Sequence, residues 1–352
     1  MLFKRKIRKI VVLTSAFFLL SSSMSFADIN VTRIAGKDRY DTAMKVTQRY
    51  FNNSSGNLAI IASGSDFRTA LYGSYMANAL KVPYYVIPNS GLSKSMMNEL
   101  SRLNIKRAYV MGDYRTLNRS IDNSLKSIGI RISRFYDKYE YGYFNAIYNY
   151  IDTPIFETFF YGEPRGDISN GVIINDKKFP DLLASIPFLS ELTRKQATFL
   201  GSYQDFDAHS GFRFIIGGYN TVPDYVETFE DDYSGLNLHS WSDDDSSSFY
   251  TGRISGENRY ETAVNIADAY TDVLNKDIKT VVLVDGTKYP DALASGTVST
   301  LTSGTVLLTE PNKLNENTRN YIQENDIKRV IIIGGESSVS KKVESQLKEL
   351  DY

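Results

Sequence analysis

Two short stretches, RIAGKDRYDTA at Arg33–Ala43 and RISGENRYETA at Arg253–Ala263, agree at seven of eleven positions. Each sets two arginines six residues apart. A guanidinium is always charged, and its planar fork of donors matches a carboxylate, a phosphate or an acidic sugar. Arg39 and Arg259 fall in the first turn of an expected helix, where the macrodipole disfavours a cation. They therefore call for an anionic partner. It is either a carboxylate or carbonyl row within the protein or an external anion, and the same alternatives hold for Arg33 and Arg253. A second basic feature recurs at Lys106–Arg107, Lys328–Arg329 and Arg213, ahead of the last strand of each repeat. These residues are either solvated strand-edge charge or an array that grips a long polymer at several points.

Catalytic chemistry is poorly provided for. There is no cysteine, so thiolate nucleophiles, thiolate metal sites and disulfides are excluded. The two histidines, His209 and His239, lie in no metal-binding or Ser-His-Asp pattern. Carboxylates remain: Asp285 at the end of an expected strand, and Asp181 and Asp291 in matching Pro-Asp pairs that read as helix starts. Asp243–Asp245, in SWSDDDSSSF (Ser240–Phe249), lack the alternating oxygens of a calcium loop and read as a solvated connector. No metal and no cofactor are expected.

These residues are carried by an internal repeat. LNIKRAYVMG (Leu103–Gly112) aligns with NDIKRVIIIG (Asn325–Gly334), and SGSDFRTAL (Ser63–Leu71) with DGTKYPDAL (Asp285–Leu293). A worn third copy lies between them. NDKKFPDLLAS (Asn175–Ser185) and FRFIIGG (Phe212–Gly218) match, but RFYDKYEYGYF (Arg134–Phe144) has lost the glycine and the second arginine. The repeats span residues 28–130, 131–248 and 249–352. In the third, the β-branched runs TVVLV, TVLL and RVIIIG suit buried parallel strands. Helices are expected at Arg259–Leu274, Pro290–Thr302, Asn315–Glu324 and Val339–Leu350. Alternation of this kind predicts a three-layer α/β unit per repeat. Asp38 and Asn258, each followed three residues later by an acid, predict a capping box that starts the helix at the arginine. The tyrosine-dense Phe135–Tyr150 reads mainly as packing.

The first 27 residues combine five cations, an apolar run and small residues ending at Ala27, the layout of a secretory signal peptide. Without that segment the chain holds 35 basic and 41 acidic residues. Such a balance argues against bulk attraction to nucleic acid or anionic lipid, and no membrane association is expected after cleavage. The C-terminal SQLKELDY has no apolar tail and no sorting motif, so attachment to a cell is expected to be non-covalent.

The ordered motifs R-I-x-G-x-x-R-Y-x-T-A, [FY]-P-D-A-L-A-S, VLLT and a strand ending in Gly-Gly resemble the clostridial cell wall-binding repeat 2 family. The resemblance implies three Rossmann- or Toprim-like units packed as a pseudo-threefold trimer. It also implies a surface-layer-associated protein held on an anionic wall polysaccharide, with other surface-layer proteins as further partners. It assigns attachment to an Ile-Leu-Leu tripeptide, met here by Val306–Leu307–Leu308 and departed from at Tyr85–Val86–Ile87 and Thr198–Phe199–Leu200. The chain is then expected to be the anchoring module alone, not an enzyme. The alternatives are a wall hydrolase using carboxylates and a self-associating coat protein.

Overall fold

The computed structural model describes residues 29–52, 57–136, 171–196, 199–204, 212–223, 226, 236–242 and 248–350. The proposed signal segment, His209, Asp243–Asp245 and most of the tyrosine-rich stretch lie outside them.

The first repeat runs β1 (Asn30–Ile34), α1 (Arg39–Tyr50), β2 (Leu58–Ser63), α2 (Phe67–Leu80), β3 (Tyr84–Ile87), α3 (Lys94–Arg102), β4 (Arg107–Met111) and α4 (Arg119–Ser127). The second contributes β5 (Arg131–Phe135), β6 (Gly171–Ile174), α5 (Phe179–Gln196), β7 (Phe199–Ser202), β8 (Phe212–Ile216) and β9 (Leu236–Ser242). The third follows with β10 (Ser248–Ile254), α6 (Arg259–Leu274), β11 (Thr280–Asp285), a 3-10 turn (Pro290–Ala294) leading into α7 (Ser295–Leu301), β12 (Thr305–Thr309), α8 (Glu316–Glu324), β13 (Arg329–Ile333) and α9 (Lys341–Lys348). The helix expected at Arg259–Leu274 forms over those residues. The one expected from Pro290 begins instead as a 3-10 turn, with proline at its first position.

Three sheets result, in the orders β3-β2-β4-β5, β7-β6-β8-β10-β9 and β1-β13-β11-β12. All pairs are parallel except β9–β10, which is antiparallel. Every residue of β2, β11 and β12 is buried, as continuous apolar strands under helices on both faces require. The antiparallel pair is a departure from the all-parallel reading. It also corrects the connector at Ser240–Phe249, whose two ends lie in β9 and β10.

Sheets and repeats are offset. The strand that opens each repeat joins the sheet of the preceding unit: β5 lies beside β4, and β10 beside β8. β1 pairs with β13, with Asn30 opposite Arg329 and Ile34 opposite Ile333. The basic residues at 106–107 and 328–329 therefore precede inner strands, because the next opening strand is added outside them.

The units meet through α2, α5 and α7. A Cβ on Gly296 would come within 2.8 Å of Asn78 Nδ2, 2.9 Å of Ile186 Cγ2 and 3.0 Å of Ser74 Oγ, so glycine is what lets α7 approach the other two helices. The Tyr75 and Thr193 hydroxyls bond at 2.6 Å, and Arg194 donates to the Asn78 carbonyl at 2.7 Å. One apolar core runs through all three units, from Leu71 and Tyr75 through Ile186 and Leu189 to Leu293 and Val298.

Candidate functional site

The repeated motif forms a tight loop between strand and helix. Asp38 Oδ1 accepts the Asp41 N–H at 2.8 Å, and Asp41 turns back to accept the Lys37 N–H at 2.9 Å. Asn258 and Glu261 repeat both bonds, to the Glu261 and Glu257 N–H groups, at 3.1 and 2.9 Å. The acid thus serves the residue before the cap, one position upstream of an ordinary capping box. Thr42 and Thr262 accept the N–H groups of Gly36 and Gly256. A Cβ on Gly36 would lie 2.4 Å from the Thr42 nitrogen, so the loop needs glycine for close approach to the helix.

The first arginine of each motif is a structural clamp. Arg33 donates to the Gly334 carbonyl at 2.8 Å and pairs with Glu344 at 3.1 Å. Arg134 makes the same pair of contacts, to the Gly112 carbonyl at 2.9 Å and to Asp122 at 2.7 Å. Arg253, 1% exposed, donates to the carbonyls of Gly217 (2.5 Å) and Val222 (3.0 Å) and stacks 4.4 Å from the Tyr219 ring centre. In each unit the guanidinium ties the opening strand to the glycine turn after the strand beside it. Arg253 is closed to any solvent polymer as folded.

The second arginines lie where units meet. Arg39 Nη1 donates to the Gly64 carbonyl and Arg259 Nη1 to the Gly286 carbonyl, both at 2.6 Å, at the carboxyl ends of β2 and β11. A strand-end carbonyl is thus one partner that the helix-dipole argument demanded. Each guanidinium also stands 6.0 Å from a ring of another unit, Arg39 from Tyr289 of the third and Arg259 from Phe179 of the second. Those rings and Phe67 occupy one column of the repeat alignment and form a single cluster. Their centres are separated by 6.1 Å (Phe67–Phe179), 5.4 Å (Phe67–Tyr289) and 5.8 Å (Phe179–Tyr289). The sequence reading missed this cluster, although its signal was an aromatic before each of TAL, DLL and DAL.

The worn repeat differs here. Its position aligned with Arg39 is Glu140, outside the described residues. Asp176 replaces Gly64 and Gly286, and it is fully buried. Arg68 reaches from the first unit to Asp176 at 2.5 Å, and the hydroxyls of Ser202 (3.0 Å) and Tyr72 (3.3 Å) also donate to that carboxylate.

Between the second and third units lies a groove of about 860 Å³. Phe179, Tyr219, Arg259, Lys177 and Lys178 line it, with Asp181 beside them. Burial pushes the Asp181 carboxyl up to about 6, against the opposing charges of Arg259 and Lys178. Its counterpart Asp291 accepts the Ser338 hydroxyl. Asp285 is buried, with Oδ1 accepting the Thr287 N–H and hydroxyl, each at 2.7 Å.

The other candidates are scattered. Val306, Leu307 and Leu308 are fully buried in β12 and offer a polymer no surface; their role as folded is the core. Lys106–Arg107 and Lys328–Arg329 stand at the amino ends of β4 and β13, the opposite ends of the sheets from Arg39 and Arg259. Arg329 donates to the Thr280 hydroxyl at 3.0 Å, Lys328 pairs with Asp326, and Arg107 lies 6.0 Å from the Tyr109 ring centre. Arg213 is the second residue of β8, one place further along than Arg107 and Arg329, and Phe212 takes their position. Among the described residues no group of three or more His, Cys, Asp or Glu side chains could hold a metal ion. Nor is any described helix long and apolar enough to cross a membrane.

The architecture is that of a module built from repeated α/β units packed on one another through facing helices and a shared apolar core. The model of the cell wall binding domain 2 (CWB2) family matches residues 33–122 and 253–344, more than half of the chain, and the protein belongs to that family. The N-acetylmuramoyl-L-alanine amidase LytC of Bacillus subtilis (strain 168) is 26% identical over 348 residues, covering 96% of this chain and 62% of LytC. The amidase enhancer of the same organism is 23% identical, covering 91% of this chain and 40% of its own length. The chain thus spans less than two thirds of these relatives. Among solved structures, Cwp8 from Clostridium difficile has the same fold, with a TM-score of 0.68 at 13% identity, over 92% of this chain and 53% of Cwp8. Cwp6 from that organism gives 0.67 at 16%, over 91% and 48%. The LytC likeness takes in both CWB2 stretches, which are binding and not catalytic modules.

Proposed function

We propose that this protein is secreted through its first 27 residues and attaches non-covalently to the Gram-positive cell wall by binding an anionic wall polysaccharide. The observation that carries this reading is the CWB2 match over two of the three repeats. The three units are arranged about a common axis through the Phe67, Phe179 and Tyr289 cluster, and the carboxyl-end rim around it, with Arg39 and Arg259, is the contact surface. In support, both guanidinium groups sit at unit junctions beside partly exposed aromatic rings, where cation and ring face a sugar polymer together. Arg33 and Arg253 contribute by holding the loops. The basic residues at the amino ends of the strands form a second, weaker contact, and other surface-layer proteins share the coat.

The test is retention of residues 28–352 on walls that carry or lack their anionic polymer, at low and high salt. Binding should follow the polymer and weaken with salt as the charges are screened. Equal retention on stripped walls would sink the reading, and release of sugars or peptides would favour a hydrolase.

A further inference from the structure

The groove between the second and third units differs from its neighbours in one respect. Asp181, 8% exposed, borders it with no hydrogen bond to its carboxylate among the described residues. Asp291 in the third unit accepts the Ser338 hydroxyl, and the first unit has Thr69 at the aligned position. In the second unit Thr221 stands where Ser338 does. A Cβ on the neighbouring Gly217 would lie 3.0 Å from Asp181 Oδ2 and 3.1 Å from the Thr221 methyl, so carboxylate and methyl line the same turn. A buried carboxylate without donors is costly when charged.

Three elements present charge to this space. The start of α5 brings Lys177 and Lys178, the loop into α6 brings Glu257, Arg259 and Glu261, and the turn after β8 brings none. On the side of the first unit, Arg68 is held by Asp176. Three cations therefore face three carboxylates when Asp181 is ionised, and the groove is neutral. Glu261 accepts the Glu257 N–H and Lys178 donates to the Asn220 carbonyl. Arg259 keeps donors beyond its bond to Gly286, and Phe179 and Tyr219 supply apolar ring faces.

We propose that this groove is a subsite for one anionic sugar residue, with the ring against Phe179 and Tyr219 and the acid at Arg259 and Lys177, and that protonation of Asp181 strengthens its grip. The inference rests on the wall-binding reading and specifies one place where it acts. Above the range in which Asp181 titrates, its charge offsets that of Arg259. Below it the groove gains one net positive charge, and the neutral carboxyl becomes a donor to a sugar oxygen. Burial, which favours the neutral carboxyl, places this change near pH 6. By linkage, binding of the anion takes up a proton.

The test uses residues 28–352 and glucose 6-sulfate, whose single charge is constant over the range, with glucose as the neutral control. Calorimetry should give wild-type affinity for the sulfated sugar about fivefold tighter near pH 5 than near pH 7.5, a size expected from one charge at partly solvated range. Proton uptake should appear between those values, and glucose should show neither effect. Asp181→Asn should hold the acid-pH affinity throughout. Lys177→Ala, an exposed change that leaves folding intact, should weaken binding about threefold at both values. An unchanged pH profile in Asp181→Asn would overturn the inference. So would failure of wild-type protein to bind glucose 6-sulfate while still sedimenting with walls, which would leave the broader reading standing. Binding of the sugar with this profile but no retention on walls would keep the groove and remove the wall.

Discussion

Between the second and third units, Arg259 reaches from α6 to the Gly286 carbonyl while its charge stands beside Phe179 of the neighbour. Between the first and second units, Arg68 reaches from α2 across to the buried Asp176 carboxylate. A guanidinium occupies both junctions at the carboxyl end of a strand, but it is delivered from opposite partners. The intact motif supplies it from the later repeat and meets a carbonyl. The worn motif, with Glu140 at that position, leaves the earlier unit to supply it, and a carboxylate replaces glycine as acceptor. A degraded motif is therefore not a vacant place: the junction keeps its cation by changing donor and acceptor together.

Single substitutions test how different the junctions are. Arg68→Met leaves Asp176 buried without its cation and should cost about 3 kcal/mol, read from urea denaturation. Adding Asp176→Gly should recover most of that loss; no recovery would mean that Arg68 acts by packing and would break the comparison. Asp181→Asn comes next. Its folded-state carboxyl is raised to about 6, so the native protein holds the proton more tightly than the unfolded chain. The wild type should be favoured below about pH 4 and lose about 3 kcal/mol as pH rises from there through 6. The asparagine variant should lack that slope in denaturation curves across pH 4 to 7.5. Asp291→Asn should show no comparable gain near neutral pH, since that carboxyl already has a donor.

Smaller effects belong to the intact junction. Arg39→Met removes a charged donor from a half-buried carbonyl and should cost about 1 kcal/mol. A loss as large as that of Arg68→Met would show that the two junctions carry equal strain when opened. Lys328→Ala, at the far end of the sheets and paired with an exposed Asp326, should change stability by less than about 0.5 kcal/mol in the same assay.

Much of the local structure was legible. The helix at Arg259–Leu274, the cap residues Asp38 and Asn258, and the apolar strands of the third repeat follow from spacings within one element, where side-chain period and capping act over a few residues. The sheet offset was not legible, because β1 and β13 are separated by nearly the whole chain and nothing local in NVTRI names a partner. The antiparallel β9 escaped for a different reason: its short LNLH alternation runs straight into a polar, acidic and serine-rich stretch that reads as a connector. At the site, the helix-dipole argument asked for a partner for Arg39 and Arg259. The nearest partners are main-chain carbonyls, which leave no signature in the order of side chains. Val306–Leu308 were weighed as contact residues on resemblance, while their apolar, β-strand character already described a core.

The pairing of β1 with β13 has a mechanical meaning for a protein that holds onto a wall. The ladder is parallel and five residues long. Tension applied ahead of Asn30 and beyond Leu350 would draw β1 and β13 along their length in opposite senses. Their hydrogen bonds would then share the load together, as in a lap joint, and would not open singly and in turn like a zipper. Arg33, bonded to Gly334 and Glu344, rivets the seam at its far end. Force spectroscopy on the full chain would read this as a high first rupture that Arg33→Met lowers.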